Sequence, residues 1–365
     1  MSLLSKLRMA ATALVASVAL TACGSADKDA AAPTAAAKTE FNIGWSIYAG
    51  WMPWPYAQQA GIVKKYEDKY GIKINIVQVN DYVESVNQYT AGKLDGVTAA
   101  SMDALTIPAA GGKDTTAVII GDYSNGNDGV VSKSAKSLAE LKGQTVNLVE
   151  LSVSHYLLAR ALDSANMKLA DLKTVNTGDA DIVGAFATKD VQTVATWNPQ
   201  LTEVQKAPGA KLLFSSAQIP GEILDLLIVD TATLKANPKL GQALAGIWYE
   251  TMAIMSAQTP EGAKAREAMA KLAGSDTASF EGQVKTTFMY YTAADAVKAT
   301  VDPALVTVMD RVRKFSFEKG LYGPGATSVD AIGIGFAADK TLGDAKNVKL
   351  RFDPTWMQMA ADGKL

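Results

Sequence analysis

Phe41-Asn42-Ile43-Gly44-Trp45-Ser46-Ile47 opens the folded part of this 365-residue chain with apolar residues at every second position, the period of a β-strand with one buried face. A turn-rich segment follows, then a helix that Pro55 opens and Gly61 closes, in keeping with the preference for proline at helix starts and glycine just past helix ends. Strand Ile72–Val79, helix Tyr82–Ala91 after Asn80-Asp81, strand Gly96–Ala99, a helix from Ser101 and strand Thr116–Gly121 continue the series. Strands alternating with helices specify βαβ units and a mostly parallel sheet.

The run Asp122-Tyr-Ser-Asn-Gly-Asn-Asp-Gly129 reads as a loop and is the best candidate for a hinge or domain crossing. Beyond it the alternation restarts, with a capping box at Ser137-Leu-Ala-Glu140, strand Thr145–Val149 and an amphipathic helix His155–Ala165. Strand Val191–Thr196 ends at Trp197-Asn198-Pro199, and strands Lys211–Phe214 and Ile223–Val229 precede the helix start Asn237-Pro238. From there the chain reads as mostly helical, with starts at Thr259-Pro260 and Asp302-Pro303 and stops at Gly274 and Gly320. One α/β unit, then a second, then a return of helices implies two lobes joined by two crossings, the build of a hinged clamshell.

The chain starts with basic Lys6 and Arg8 and an uncharged stretch Met9–Leu20, long enough for the core of an export signal and too short to span a bilayer. The only cysteine closes the run Leu20-Thr21-Ala22-Cys23-Gly24, which resembles the lipobox of bacterial lipoproteins. The resemblance implies removal of residues 1–22, acylation of Cys23, and a protein held in the periplasm or at the outer face of the cytoplasmic membrane. The bilayer is then a partner through lipid alone. Residues 23–40, rich in Ala, Asp, Lys, Thr and Ser with no aromatic, read as a flexible tether. Loss of Lys6 and Arg8 with no acid takes the formal charge from −2 to −4, which argues against nucleic acid and anionic membrane surfaces as partners. After Cys23 no disulfide is available, so burial must stabilise the fold. A single histidine, His155, and a single cysteine exclude most transition-metal sites. No phosphate-binding G-x-x-x-x-G-K-[ST] run and no nucleophile elbow occurs; no catalytic residue and no cofactor are assigned.

The opening strand with its aromatic turn, Ser137-Leu-Ala-Glu-Leu-Lys-Gly143, Ser154-His155-Tyr156-Leu157-Leu158, Trp197-Asn198-Pro199 and the strand before Asn237-Pro238 together resemble the periplasmic solute-binding proteins of ABC importers, of the nitrate/taurine/sulfonate type. The runs Trp45-Ser-Ile-Tyr-Ala-Gly-Trp-Met-Pro-Trp-Pro-Tyr56 and Ala99-Ala-Ser-Met-Asp-Ala-Leu-Thr106 look closer to the branch encoded beside urea carboxylase, often labelled urea transporters. The resemblance implies an α/β, type II periplasmic-binding-protein fold with two Rossmann-like lobes, a hinge and a helical C-terminal extension. Lobe 1 would comprise 41–125 and 224–365 and lobe 2 residues 126–223. It further implies a monomeric, non-enzymatic binder whose partners are a small-molecule ligand and ABC permease subunits. A sensory receptor domain, and an enzyme like the pyrimidine-synthesising branch of the same fold, are the alternatives.

Ligands of open α/β sheets bind beyond the carboxyl ends of strands. Trp51, Trp54 and Tyr48 cluster there, with Trp45 inside the strand pattern and readable as plain core. Acids mark the other strand ends: Asp103 after Ser101, Asp122, Glu150, and Glu222 with Asp225 around the return crossing. Ser152 and Ser154 are candidate donors from a helix N-terminus, His155 a cleft donor or a capping residue, and Trp197 and Asn198 a closing pair or a packed turn. Relatives of the resembled type hold anions with helix N-termini, hydroxyls and basic groups, and Glu150 stands here where such a turn is expected. Carboxylates with aromatic faces suit a planar cation with several N–H donors. A guanidine-like cation is therefore preferred over urea, with a sulfonate, taurine or nitrate-type anion as the alternative.

Overall fold

The strand β1 (Glu40–Trp45) buries Phe41, Ile43 and Trp45, as its alternation requires, and pairs in parallel with β2 (Lys73–Gln78). The computed structural model describes residues 38–365; the leader, Cys23 and the tether through Ala37 lie outside the described residues. Between the two strands lie α1 (Pro53–Gln59) and α2 (Ile62–Tyr70). The first helix opens at Pro53, two residues before the expected Pro55. Both prolines fit because the first four N–H groups of a helix have no intrahelical acceptor. The second helix was not expected. Gly61, at φ 77°, turns the chain directly from one helix into the next, where a side chain would be strained.

The series continues with α3 (Tyr82–Thr90), capped by the Asp81 carboxylate accepting from Glu84 N, then β3 (Gly96–Ala100) and α4 (Ser101–Ala104). Strand β4 (Thr115–Ser124) follows, then β5 (Asp128–Ser132). The expected loop 122–129 is thus mostly strand. Asp122 and Tyr123 are paired by β10 and, with Ser124, by β11 (ranges below), so only 125–127 intervene.

A second unit comprises β6 (Thr145–Leu148), α5 (Val153–Ser164), β7 (Lys173–Asn176), α6 (Ile182–Ala187), β8 (Thr193–Trp197), α7 (Gln200–Gln205) and β9 (Lys211–Ser215). Ser137–Glu140 forms no capping box; a single 3₁₀ turn starts at Leu138, and the Glu140 carboxylate accepts from Lys136 N instead. Helix α5 starts at Val153, two residues before His155, because Ser152 caps it.

The return strand β10 (Leu224–Asp230) leads to α8 (Thr231–Ala236), α9 (Pro238–Ser256), α10 (Pro260–Leu272) and α11 (Thr277–Lys285). The remainder is β11 (Thr287–Met289), α12 (Ala293–Val301), α13 (Pro303–Glu318), β12 (Gly333–Gly335), β13 (Thr341–Leu342), β14 (Val348–Phe352) and α14 (Thr355–Ala361). Thr259 and Asp302 cap as expected, and Gly274 and Gly320, both at positive φ, follow α10 and α13. The C-terminal part is not purely helical, because β14 joins the large sheet beside β4.

Two sheets result among the described residues. The larger runs β13-β12-β14-β4-β10-β3-β1-β2 with β11 on β4; the smaller runs β7-β6-β8-β5-β9. They are mixed, not mostly parallel. The strand β10 lies antiparallel between β3 and β4, and β5 antiparallel between β8 and β9. Each segment linking the sheets, β4 to β5 and β9 to β10, therefore runs from a strand of one into a strand of the other.

Candidate functional site

Where the two sheets meet, a cavity of about 220 Å³ is lined by residues from both. That is somewhat below the usual range for drug-sized ligands and fits a small molecule. The large sheet contributes Ser46, Ile47, Tyr48 and Trp51 from the turn after β1, Asn80 and Tyr82 from the start of α3, and Ile223 and Asp225 from the return crossing. The small sheet contributes Asp128 on β5, Val153 at the first turn of α5, Asp179 and Ala180, and the sequence Trp197, Pro199 and Gln200 after β8.

Four aromatic rings form a continuous wall. Tyr48 meets Trp51 edge-on at 5.1 Å, Trp51 lies 5.5 Å from Tyr82, and Tyr82 meets Trp197 edge-on at 6.0 Å. The Tyr82 hydroxyl donates to Asp103 Oδ2 at 2.6 Å and accepts from Ala100 N at 2.9 Å, which fixes its ring. Among the described residues, the lining holds three aspartates and no Lys, Arg or His.

Electrostatics follow from burial. Desolvation pushes the Asp128 carboxyl up from 3.8 to about 6 even though Ser124 Oγ donates to it at 2.5 Å. Asp103, behind Tyr82, is pushed by burial up to about 7. Asp122 and Asp225 are register partners on β4 and β10, and both are raised, burial first and the neighbouring carboxyl next for Asp225. Burial and then the Asp81 charge raise Asp179. Carboxyls rise when desolvated without a cation. Several buried polar atoms in or near the cavity have no partner among the described residues: Ser46 Oγ, Trp51 Nε1, Asp103 Oδ1, Asp122 Oδ2, Ser154 Oγ and Gln200 Oε1. Such atoms are uncommon in folded proteins and mark places where a bound group would be accepted.

Of the residues singled out from sequence, Tyr48, Trp51, Trp197 and Asp225 line the cavity. Asp122 stands directly behind it, accepting from the Tyr48 hydroxyl at 3.1 Å, and Asp103 stands behind Tyr82. Ser101 is buried at the start of α4, next to the lining residue Ala100. The others are placed elsewhere. Trp45 is core of β1, and Trp54 packs on Trp248 of α9 at 5.2 Å. The Glu150 carboxylate accepts from Thr174 Oγ1 on β7, away from the cavity, so it does not supply the charge expected of it. Ser152 caps α5, and Ser154 is buried in the same turn without lining the cavity. His155 Nδ1 accepts from Leu151 N at 3.1 Å, and burial lowers its pKa; it is a capping residue. Asn198, just before α7, accepts from Thr202 N in that helix's first turn and donates to Asn127 Oδ1 at 2.7 Å. Glu222 is held by Arg160, Arg311 and the Tyr156 hydroxyl outside the cavity.

Sequence reasoning missed Asp128, Asp179, Tyr82, Ser46, Asn80 and Gln200 as cavity residues. Asp128 lay in the run read as a hinge loop and Tyr82 was read only as a helix start. Asp179 follows β7, a strand that was not recognised.

The architecture is the periplasmic-binding-protein fold. The periplasmic aliphatic sulphonate binding protein SsuA of Escherichia coli superposes with a TM-score of 0.65 at 18% identity, covering 78% of this chain and 94% of that one. Residues 60–258 match the family model described as NMT1/THI5 like, and the chain belongs to that family. A protein of Brucella abortus (strain 2308), provisionally named a binding protein, is 26% identical over 203 residues, 54% of this chain and 61% of that protein. Outer membrane lipoprotein 2 of Mannheimia haemolytica is 30% identical over 181 residues, covering 48% of this chain and 63% of its own. The chain thus spans a little under two thirds of the length of the curated relatives it matches. Among the described residues no cluster of His, Cys, Asp and Glu suited to a metal is present, and no helix is long and apolar enough to cross a membrane.

Proposed function

We propose that this protein is the extracytoplasmic solute-binding component of an ABC importer and that its cavity takes a small, nitrogen-rich, guanidine-like cation. One observation carries the ligand reading: among the described residues three aspartates and four aromatic rings line the cavity, and no basic side chain does. A guanidinium offers N–H donors in a planar fork that matches carboxylates and a face that stacks on Trp51 or Trp197. Urea shares the shape but brings no charge to offset Asp128 and Asp225.

An anion is the second reading, favoured by the sulphonate named for the E. coli structure. Against it stands the charge of the site, since carboxylates raised by burial would be raised further by a bound anion. The anion-excluding role expected of Glu150 passes to Asp128, Asp179 and Asp225.

The lobe assignment of 41–125 with 224–365 against 126–223 is part of the proposal, supported by the division of strands between the two sheets. Ligand bridging Trp51 and Asp225 on one side to Asp128 and Trp197 on the other would favour the closed form. Acylation at Cys23 would hold the protein near its permease, a reading supported by the lipoprotein name of the Mannheimia relative.

Isothermal titration of the purified protein with guanidinium, urea and taurine tests the reading. Heat with guanidinium and none with taurine is expected. Saturable heat with taurine alone would replace the cation by an anion.

A further inference from the structure

Asp122 and Asp225 face each other across the β4–β10 ladder, and both are buried. The Tyr48 hydroxyl donates to Asp122 Oδ1 at 3.1 Å and is itself reached by the Asn127 amide at 3.3 Å. Asp122 Oδ2 has no hydrogen-bond donor among the described residues and lies so close to Gly50 that a Cβ there would collide with it. The titratable groups facing the pair are Tyr48 after β1, Tyr82 on α3, Asp128 on β5, and Tyr290 and Tyr291 after β11. None of them carries positive charge. Asp225 alone of the pair reaches the cavity surface.

Two carboxyls in contact in a low-dielectric site cannot both be ionised, so one proton is shared between them. From this geometry we propose that the ligand cation takes the place of that proton, making Asp122 and Asp225 a cation-for-proton exchange site. The balance is one for one. A monoprotonated pair plus a free cation becomes a doubly ionised pair holding the cation, with one proton released to solvent. The cation contacts Asp225, and Asp122 acts through it.

This inference rests on the cation reading above, and the experiment separates the two. Guanidinium is titrated into the full chain in phosphate and in Tris, whose ionisation enthalpies differ, at several pH values between 5.5 and 8. The difference in heat between buffers should report close to one proton released at neutral pH. Affinity should rise about tenfold per pH unit on the acid side of the pair's titration. Urea, if it binds, should release none. In Asp122→Asn the count should fall to near zero, with circular dichroism confirming the fold. Guanidinium binding with no proton release in the unaltered protein overturns the exchange and leaves the cation reading intact. No guanidinium binding in either buffer at any of these pH values overturns both.

Discussion

Replacing Asp128 by asparagine should weaken ligand binding and stabilise the ligand-free protein together. Asp128 lines the cavity and is buried, and its side-chain partner among the described residues is the Ser124 hydroxyl, from which an asparagine carbonyl can equally accept. A unit charge about 4 Å from a bound cation is worth roughly 4 kcal/mol at an effective dielectric of about 20. Desolvation of the cation offsets part of that. The expected loss is therefore between about tenfold and a few hundredfold in Kd for guanidinium.

For stability the sign is opposite. Burial places the folded-state value near 6, above the ordinary 3.8. Ionisation of Asp128 thus costs stability as pH climbs from about 4 to about 6, and the full cost, on the order of 3 kcal/mol, is present at pH 7.5. At about 1.5 °C per kcal/mol for a chain of this size, removing it should raise Tm by about 4–5 °C at pH 7.5. At pH 4 the gain should vanish. Titration calorimetry and a thermal melt by circular dichroism read the two effects. A variant with unchanged guanidinium affinity and unchanged Tm would refute the reasoning that Asp128 is a functional charge kept at the expense of stability.

Four further outcomes follow from the same geometry. Trp197→Leu removes one ring of the wall and should raise Kd for guanidinium by about 2- to 30-fold, the range of a single cation–π contact, with quenching of the ligand-induced fluorescence change. Tyr82→Phe keeps the ring but strands Asp103 and Ala100 N, so a loss of about 1–3 kcal/mol in a chemical-denaturation experiment is expected, with affinity altered by less than about threefold. For Glu222, burial alone would raise the carboxyl, but hydrogen bonds from Arg160 and Tyr156 outweigh it and hold the value below 4.5. Its stabilisation is present above about pH 4.5 and lost as pH falls; Glu222→Gln should remove that acid limb and cost about 1–2 kcal/mol at pH 7, the arginines being partly exposed. Finally, Asp103 and Asp128 together predict a ligand-free protein with a higher Tm at pH 5 than at pH 7.5, because both carry raised values; saturating guanidinium should narrow that gap.

Much of the scaffold was readable because it rests on local signals. Phe41, Ile43 and Trp45 alternate, Asp81 caps, and Pro260 and Pro303 start helices where their preceding Thr259 and Asp302 accept the first N–H groups. What escaped was non-local. Nothing within Leu224–Asp230 reveals that it inserts antiparallel between β3 and β4, and that insertion is what turns Asp122 and Asp225 toward each other. Val348-Lys-Leu-Arg-Phe352 did carry a strand alternation and was missed among the helices around it. The aromatic cluster was found but not resolved. Trp51 precedes α1 and faces the cavity, while Trp54, one turn on, faces α9. Strand-end acids look alike in sequence. Glu150 meets a threonine on a neighbouring strand, Glu222 two arginines and a tyrosine, and Asp225 another acid; only the tertiary fold separates them.

A crystal structure of the protein grown with guanidinium and, separately, with taurine tests the central claim most directly. The account predicts a planar density stacked on the Trp51–Tyr82–Trp197 wall, with N–H groups within about 3 Å of Asp128 and Asp225 carboxylate oxygens, and no ligand density in the taurine crystal. A taurine sulfonate seated in this cavity, with guanidinium absent from it, would contradict the account.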